Sequence, residues 1–305
     1  MGAVMTEPQV DPQLRNALAL IQHEIDSSFD LLLSVPQDAR ATLFEAMRYA
    51  SIGGGKRIRP LLLTATAGLF GVDREAAVRA ATALEAIHVY SLIHDDLPCM
   101  DDDALRHGKP TVHKAFDEAT AVLAGDSLHA FAFDVLADPA TSGDPFVRIE
   151  LVRMLAVACG ASGMAGGQMM DIVAETSSFD LATVTRLQQL KTGALLDAAV
   201  EMGAILGHVP PEGRVHLRGY ARDIGLAFQI ADDLLDAEGD EEAAGKALRK
   251  DAAQGKETFL SILGIDAARE RAHFLVDQAI SHLVNYGEEA DLLRALARFV
   301  VERDR

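Results

Sequence analysis

With 305 residues, 49% of them hydrophobic and 24% charged, the chain has the composition of a globular protein, which excludes a disordered or collagen-like polymer. Its 28 lysines and arginines stand against 46 aspartates and glutamates, a formal charge of −18, so a general electrostatic hold on nucleic acid or anionic lipid is excluded. Any anionic ligand must be met by a local basic cluster or through metal ions.

Apolar residues recur at three- and four-residue spacing along most of the chain, which predicts an all-α protein. Pro60 belongs to the first turn of a helix through Phe70, and Asp73 caps the next, which runs to the aspartates before Pro98. Helices are expected from about Asp117 to Leu136, from Pro145 to Ala174, from an Asp180 cap to Ile205 and from Arg214 to Asp236, with shorter ones beyond Gly255. No linker and no repeat divides the chain, so one domain, 1–305, is expected. The longest uncharged stretch, Met154 to Met170, is 17 residues and rich in glycine, and reads as a buried helix rather than a membrane span. Cys99 and Cys159 are too few for a disulfide framework, and no basic segment followed by an apolar run opens the chain, so a cytoplasmic location is expected.

Two aspartate clusters carry the chemistry. The first is Asp95-Asp96-Leu97-Pro98-Cys99-Met100-Asp101, extended by Asp102 and Asp103; the second is Asp232-Asp233-Leu234-Leu235-Asp236. Asp232 and Asp236 are one helical turn apart, with carboxylates about 6 Å from one another. Asp95 and Asp101 would diverge on an unbroken helix, but Pro98 ends or kinks it and can bring Asp101 back beside Asp95. Both clusters follow apolar helical runs, where carboxylates repel and resist desolvation unless cations neutralise them. Oxygen donors without cysteine or histidine clusters point to Mg²⁺, which prefers to bridge carboxylates to phosphates. A diphosphate bound through Mg²⁺ is therefore expected.

These clusters occur in a longer series: GGGKRIRP at 53–60, HDDLPCMDDD at 94–103, AGD at 124–126, GGQMMD at 166–171, KTG at 191–193, FQIADDLLD at 228–236, and the Gly-Lys pairs ending at Lys246 and Lys256. In this order the series resembles the trans-polyprenyl diphosphate synthases over nearly the whole chain, and most of all the bacterial farnesyl diphosphate synthases. The resemblance implies an isoprenoid synthase-type helical bundle around a deep central cavity, usually a homodimer. It implies that Asp95, Asp101 and Asp232 hold about three Mg²⁺ ions with the diphosphate, and that Lys56, Arg59 and His88 bind isopentenyl diphosphate. Arg106 would contact the allylic diphosphate, Lys191, Thr192 and Gln229 would line the allylic site, and Lys246 and Lys256 would close a flap over it. His107 departs from the family, which commonly has an arginine there; a neutral imidazole lacks the bidentate fork, so weaker isopentenyl diphosphate binding is expected. Gln168 and Asp171 would face the same cavity, and Asp126 and the helix glycines are read as structural.

The implied reaction is ionisation of an allylic diphosphate, attack on the cation by the double bond of isopentenyl diphosphate, and loss of a proton to the departing diphosphate. Tyr90 and Ser91, one turn before Asp95, would form the floor that stops chain growth. A tyrosine there resembles the fifteen-carbon type, with geranyl and geranylgeranyl diphosphate as the alternative products. A class I terpene cyclase would carry an Asn/Asp, Ser/Thr, Glu triad in place of the second aspartates, and a non-catalytic partner subunit would have lost an aspartate pair or the flap lysines. Neither pattern is present.

Overall fold

The computed structural model describes residues 11–238 and 257–302. The first two helices are α1 (Pro12–Leu32) and α2 (Ala41–Ser51); Asp11 starts α1 by accepting hydrogen bonds from the Gln13 and Leu14 N–H groups. Then come α3 (Ile58–Gly68) and α4 (Arg74–Asp95), the latter capped by Asp73 as its sequence predicts. Two short strands, β1 (Leu105–Arg106) and β2 (Lys109–Pro110), pair antiparallel, with His107 and Gly108 at the turn, both at positive φ. The chain continues through α5 (Val112–Ala115), α6 (Glu118–Ala137), α7 (Pro145–Cys159), α8 (Met164–Ala174) and α9 (Leu181–Gln188). A π-helical turn, Gln189–Gly193, leads directly into α10 (Ala194–Leu206), and α11 (Val215–Glu238), α12 (Phe259–Leu263), α13 (Ile265–His282) and α14 (Asp291–Glu302) follow.

The core is built around α4 and α10, whose buried residues spread around much of the helix rather than along one stripe. Ala80, Ala81, Leu84 and Ile87 of α4 and Leu195, Val200 and Met202 of α10 are fully enclosed. α10 packs tightly on α3 because Gly203 has no side chain: a Cβ there would lie 2.6 Å from the Leu63 carbonyl oxygen. The all-α expectation holds, and the expected boundaries at Asp73, Asp117, Asp180 and Arg214 are met within a residue or two.

Two expectations are corrected: the Met154 to Met170 stretch is not buried throughout, with Val157 51% and Met169 57% exposed, and it is not one helix. The predicted helix from Pro145 to Ala174 is two helices, broken between Gly160 and Gly163. The apolar character runs on through the break, but Gly163 turns where a Cβ would lie 2.1 Å from the Ala158 carbonyl oxygen, a turn that glycine alone allows. By length and composition, the stretches Arg74–Asp95, Glu118–Ala137 and Pro145–Ala174 are each apolar enough to cross a membrane. The first is packed inside the bundle, and the third is interrupted at the glycines. What α6 and α7 leave outward is an apolar face that includes Leu123, Phe146, Ile149 and Val157.

Candidate active site

α4 ends at Asp95, and there the first aspartate cluster takes its shape. The Asp101 N–H donates to the Asp95 carbonyl oxygen at 2.8 Å, and the Asp102 N–H donates to that of Leu97 at 3.1 Å. The chain thus turns back through Pro98 and returns Asp101 to Asp95, as the proline predicts. Burial pushes the Asp95 carboxyl up to about 6, with Asp101 and Asp96 adding repulsion against the pull of Lys191 and Arg106. Asp96, which is buried, has a fixed partner: Arg106 donates to it through both Nε and Nη2 and lies 3.6 Å from Asp103.

Two cavities open on either side of α4. The first, about 330 Å³, is lined by the glycine turn at Gly53–Gly55, Lys56, Arg59, His88, Asp96, Arg106, His107, Lys109 and Phe228. The second, about 440 Å³, is lined by Tyr90, Ser91, Asp95, Lys191, Thr192 and Gln168 and by the apolar Met164, Met169 and Ile172. Arg59, His88 and Leu92 belong to both. Arg59 donates from Nη1 to His88 Nε2 at 3.3 Å. Since a guanidinium has no lone pair to offer, that nitrogen must be the acceptor and the imidazole proton lies on Nδ1. Burial, with Arg59 and Arg57 adding, holds His88 well below the ordinary imidazole range and hence neutral. Burial also lowers the Arg59 guanidinium, against the opposing pull of Glu85 and Asp232, which couples the second aspartate cluster to this pair.

Not every basic residue of the glycine turn faces the ligand side. Arg57 turns inward at φ +53° and bonds Glu85 at 2.8 Å, Asp26 at 2.7 Å and the Ser51 carbonyl. It anchors the turn, while Lys56 Nζ lies 5.7 Å from the centre of the Phe299 ring on α14. His107, at the hairpin tip, leans over the same turn: its ring lies 3.6 to 3.8 Å from where Cβ atoms on Gly54 and Gly55 would be. Burial and the nearby Arg106, Arg57 and Lys109 lower its pKa.

The π-helical turn carries Lys191 and Thr192 into the second cavity, with Lys191 Nζ 2.8 Å from Asp171 on α8. α8 comes this close because Gly167 lies against the turn, where a Cβ would fall 2.1 Å from the Lys191 nitrogen. π-turns commonly mark functional sites, since the extra residue redirects side chains without ending the helix. The second cluster divides in the same way as the first. Asp233 is buried and accepts from the Phe259 N–H at 3.0 Å, which ties α11 to α12, whereas Asp232 is half-buried. Gln229 is half-buried one turn earlier and lines neither cavity. Gly125 of the AGD segment makes room for His94, whose ring would meet a Cβ at 2.1 Å.

The expected site residues Lys56, Arg59, His88, Arg106 and His107 therefore meet in one cavity, and Tyr90, Ser91, Asp95, Lys191 and Thr192 in the other. Lys246 and Lys256 lie outside the described residues. Residues missed in sequence include Glu85, His129 and Lys109. Glu85 had a signal, as a lone acid inside an apolar helical run.

The profile of the polyprenyl synthetase family matches residues 40–296. The chain belongs to the polyprenyl synthetase family. It is 42% identical to farnesyl diphosphate synthase of Haemophilus influenzae, over 94% of this chain and 97% of that protein. It is 44% identical to the chloroplastic geranylgeranyl pyrophosphate synthase of Catharanthus roseus, over 86% of this chain and 74% of that protein. Among solved structures, the apo crystal structure of an FPP/GFPP synthase from Zymomonas mobilis superposes with a TM-score of 0.88 at 56% identity, covering 95% of this chain and 99% of that one. The two cavities and the helix that separates them are thus those of a polyprenyl synthetase, and the protein is a prenyltransferase with the isoprenoid synthase helical fold.

Proposed function

We propose that this prenyltransferase condenses isopentenyl diphosphate with dimethylallyl and then geranyl diphosphate, giving farnesyl diphosphate. The observation that carries the reading is that two cavities, one edged by Lys56, Arg106, His107 and Lys109 and the other by Asp95, Lys191 and Thr192, meet at Arg59, His88 and Leu92. Isopentenyl diphosphate lies in the first, its diphosphate held by Lys56, Arg59, the Nδ1–H of His88 and His107. The allylic substrate lies in the second, with its diphosphate at the aspartates and Arg106 and its tail directed at Tyr90 and Ser91. The resemblance assigns Lys246 and Lys256 to the same diphosphates.

Asp95, Asp101 and Asp232 would hold about three Mg²⁺ ions together with the diphosphate. Their donor chemistry fits: the ligands are hard oxygens, and Asp95 is a crowded carboxyl that a cation would relieve. Mg²⁺ would take the rest of its shell from phosphate and water. Mg²⁺ held there would supply charge stabilisation for the leaving diphosphate. The Lys191 ammonium and the Thr192 hydroxyl present polar atoms to the ionising end of the substrate, while Gln229, which the resemblance places beside them, lines neither cavity. Met164, Met169 and Ile172 give the second cavity an apolar wall beside the allylic cation, and no nucleophilic serine or cysteine is required.

The whole chain works as one synthase domain in the cytoplasm, without nucleic acid or membrane, as a homodimer. The outward apolar face of α6 and α7, with Phe146 80% exposed, supports a second copy as its cover. Incubation with isopentenyl and dimethylallyl diphosphates and Mg²⁺, with products identified by mass, tests the reading: a fifteen-carbon diphosphate is expected, and absence of any condensation overturns it. Light scattering after gel filtration tests the dimer, which a monomer at micromolar concentration overturns.

A further inference from the structure

The hairpin beside the glycine turn carries one cation more than the carboxylates around it neutralise. His107 and Gly108, both at positive φ, close a two-residue turn between β1 and β2, the tight form that keeps two strands side by side. The hairpin is held at its base: the Tyr49 hydroxyl donates to the Pro110 carbonyl oxygen at 2.7 Å, and the Thr111 N–H to that of Ala104 at 3.1 Å. Arg106 pairs with Lys109 in register, and directly opposite residues of an antiparallel pair point to the same face. Both line the first cavity, and Lys109 Nζ lies against the glycine turn, 3.6 Å from where a Cβ on Gly53 would be.

The lysines and arginines that line this cavity are Lys56, Arg57, Arg59, Arg106 and Lys109. Arg57 is neutralised by Glu85 and Asp26, and Arg106 by Asp96 and Asp103. Asp26 also reaches the turn, but its oxygens already accept from Arg57 and, at 3.2 Å, from the Gly53 N–H. Among the described residues Lys109 has no ion pair, although it stands directly across from a like charge, an arrangement that destabilises a strand pair unless an anion compensates it. The two imidazoles of the cavity, His88 and His107, are both held below the ordinary range and carry no charge at pH 7. A diphosphate in this cavity must therefore find its compensating charge on lysine and arginine.

We propose that Lys109 is a binding residue for the diphosphate of isopentenyl diphosphate, joining Lys56 and Arg59 as the cations on that group; the assignment rests on the placement of this substrate in the first cavity. A lysine suits the position because its ammonium is a compact charge on a long stem, with three donors and no planar fork to align. The hairpin supplies the rigidity that the side chain lacks. Lys109 is also one of the cations that keep His107, across the tip of the turn, uncharged. The lysine, and not the imidazole, is then the charge that the hairpin brings to the substrate at neutral pH.

The KM values for isopentenyl diphosphate and for geranyl diphosphate are measured on the full-length protein at neutral pH in saturating Mg²⁺. Lys109→Met, an exposed change that should leave the circular dichroism and melting temperature unaltered, is expected to raise the first KM about tenfold and to leave kcat and the second KM within about twofold. Lys109→Arg should keep the parental value. His107→Arg added to Lys109→Met should recover most of the loss, since it returns a cation to the same hairpin. Lys56→Met, also an exposed change, is the control on where the substrate lies. If Lys56→Met raises the KM for isopentenyl diphosphate and Lys109→Met does not, the role of Lys109 is overturned and the placement of the substrate stands; if neither variant raises it, both fall. An equal rise in the two KM values, or a rise that Lys109→Arg shares, also overturns the proposal.

Discussion

The ring of His129 stands edge-on to that of Tyr90, with centres 5.0 Å apart and planes at 90°. His94 meets the same tyrosine at 5.8 Å and 79°, so the Tyr90 ring is gripped from α6 and from its own helix where it lines the second cavity. Chain length should follow this grip. Ser91→Phe should shift the product from fifteen carbons to ten with the first condensation kept, and Tyr90→Ala should add a twenty-carbon product. His129→Ala should shift length in the same direction as Tyr90→Ala but less. Product chromatography decides: identical lengths in all three variants and the parent would place the floor elsewhere.

Asp95→Ala and Asp232→Ala should each lower condensation by about a thousandfold or more while leaving the helical circular dichroism unchanged, because each removes a cation ligand and relieves carboxylate repulsion. Turnover with unaltered Mg²⁺ dependence in either variant would sink the two-cluster reading.

His107 is held below the ordinary imidazole range by burial and by the cations around it, so it is neutral at pH 7 and gains charge only in acid. The KM for isopentenyl diphosphate should therefore fall as the pH drops below about 6.5, with that for the allylic substrate moving less. His107→Arg should lower the same KM several-fold and abolish its acid dependence. Steady-state kinetics from pH 5.5 to 8 measure both, and a flat, unaltered KM would put His107 outside the site.

Gly167→Ala would push a methyl group against the backbone of Lys191. Overpacking of this kind costs about 1 to 3 kcal/mol of stability. Displacement of Lys191 and Thr192 should also cost about a hundredfold in kcat. Thermal melts and single-turnover rates check the two effects; full activity would mean that the turn adapts without loss.

Asp197 borders a third cavity, of about 310 Å³, on the opposite side of the π-helical turn, and its Oδ1 is buried with no hydrogen-bond partner. Burial, then repulsion from Glu201 and Asp223, raises its pKa to about 7 against the pull of Arg222. A raised folded-state pKa stabilises the protein in acid, and that contribution is lost as the pH rises through 7. Asp197→Asn removes the dependence, so the melting temperature of the variant relative to the parent should increase from pH 6 to pH 8. A constant difference would mean that Asp197 is ionised throughout.

The aspartate clusters stand out in the sequence as carboxylates after apolar helical runs, whereas Lys56, Arg59 and His88 are singled out by the family resemblance. What remained hidden needed a partner distant in the chain. Arg57 has the same charge as its neighbours, and Asp26 and Glu85, 31 residues before it and 28 after it, show that it turns inward. Asp232 and Asp233 are adjacent carboxylates in one motif, and the Phe259 N–H marks Asp233 as the structural one. The break between α7 and α8 was invisible to hydropathy, since glycine interrupts the backbone and not the apolar pattern. His129 gives no local hint of Tyr90, which reaches it from another helix.

The π-helical turn between α9 and α10 amounts to one residue more than a regular helix of that length would hold. That surplus sets the two flanking helices out of phase by roughly one residue's rotation, about 100°. α9 can then show an ordinary half-exposed surface while α10, continuous with it, is enclosed almost all round. It also splits five consecutive residues between compartments: Lys191 and Thr192 look into the substrate side, and Gln189, Leu190 and Gly193 into the cavity beside Asp197. Removing a single residue here would leave a better helix and a worse enzyme, because the improved backbone geometry would rotate the lysine away from its aspartate.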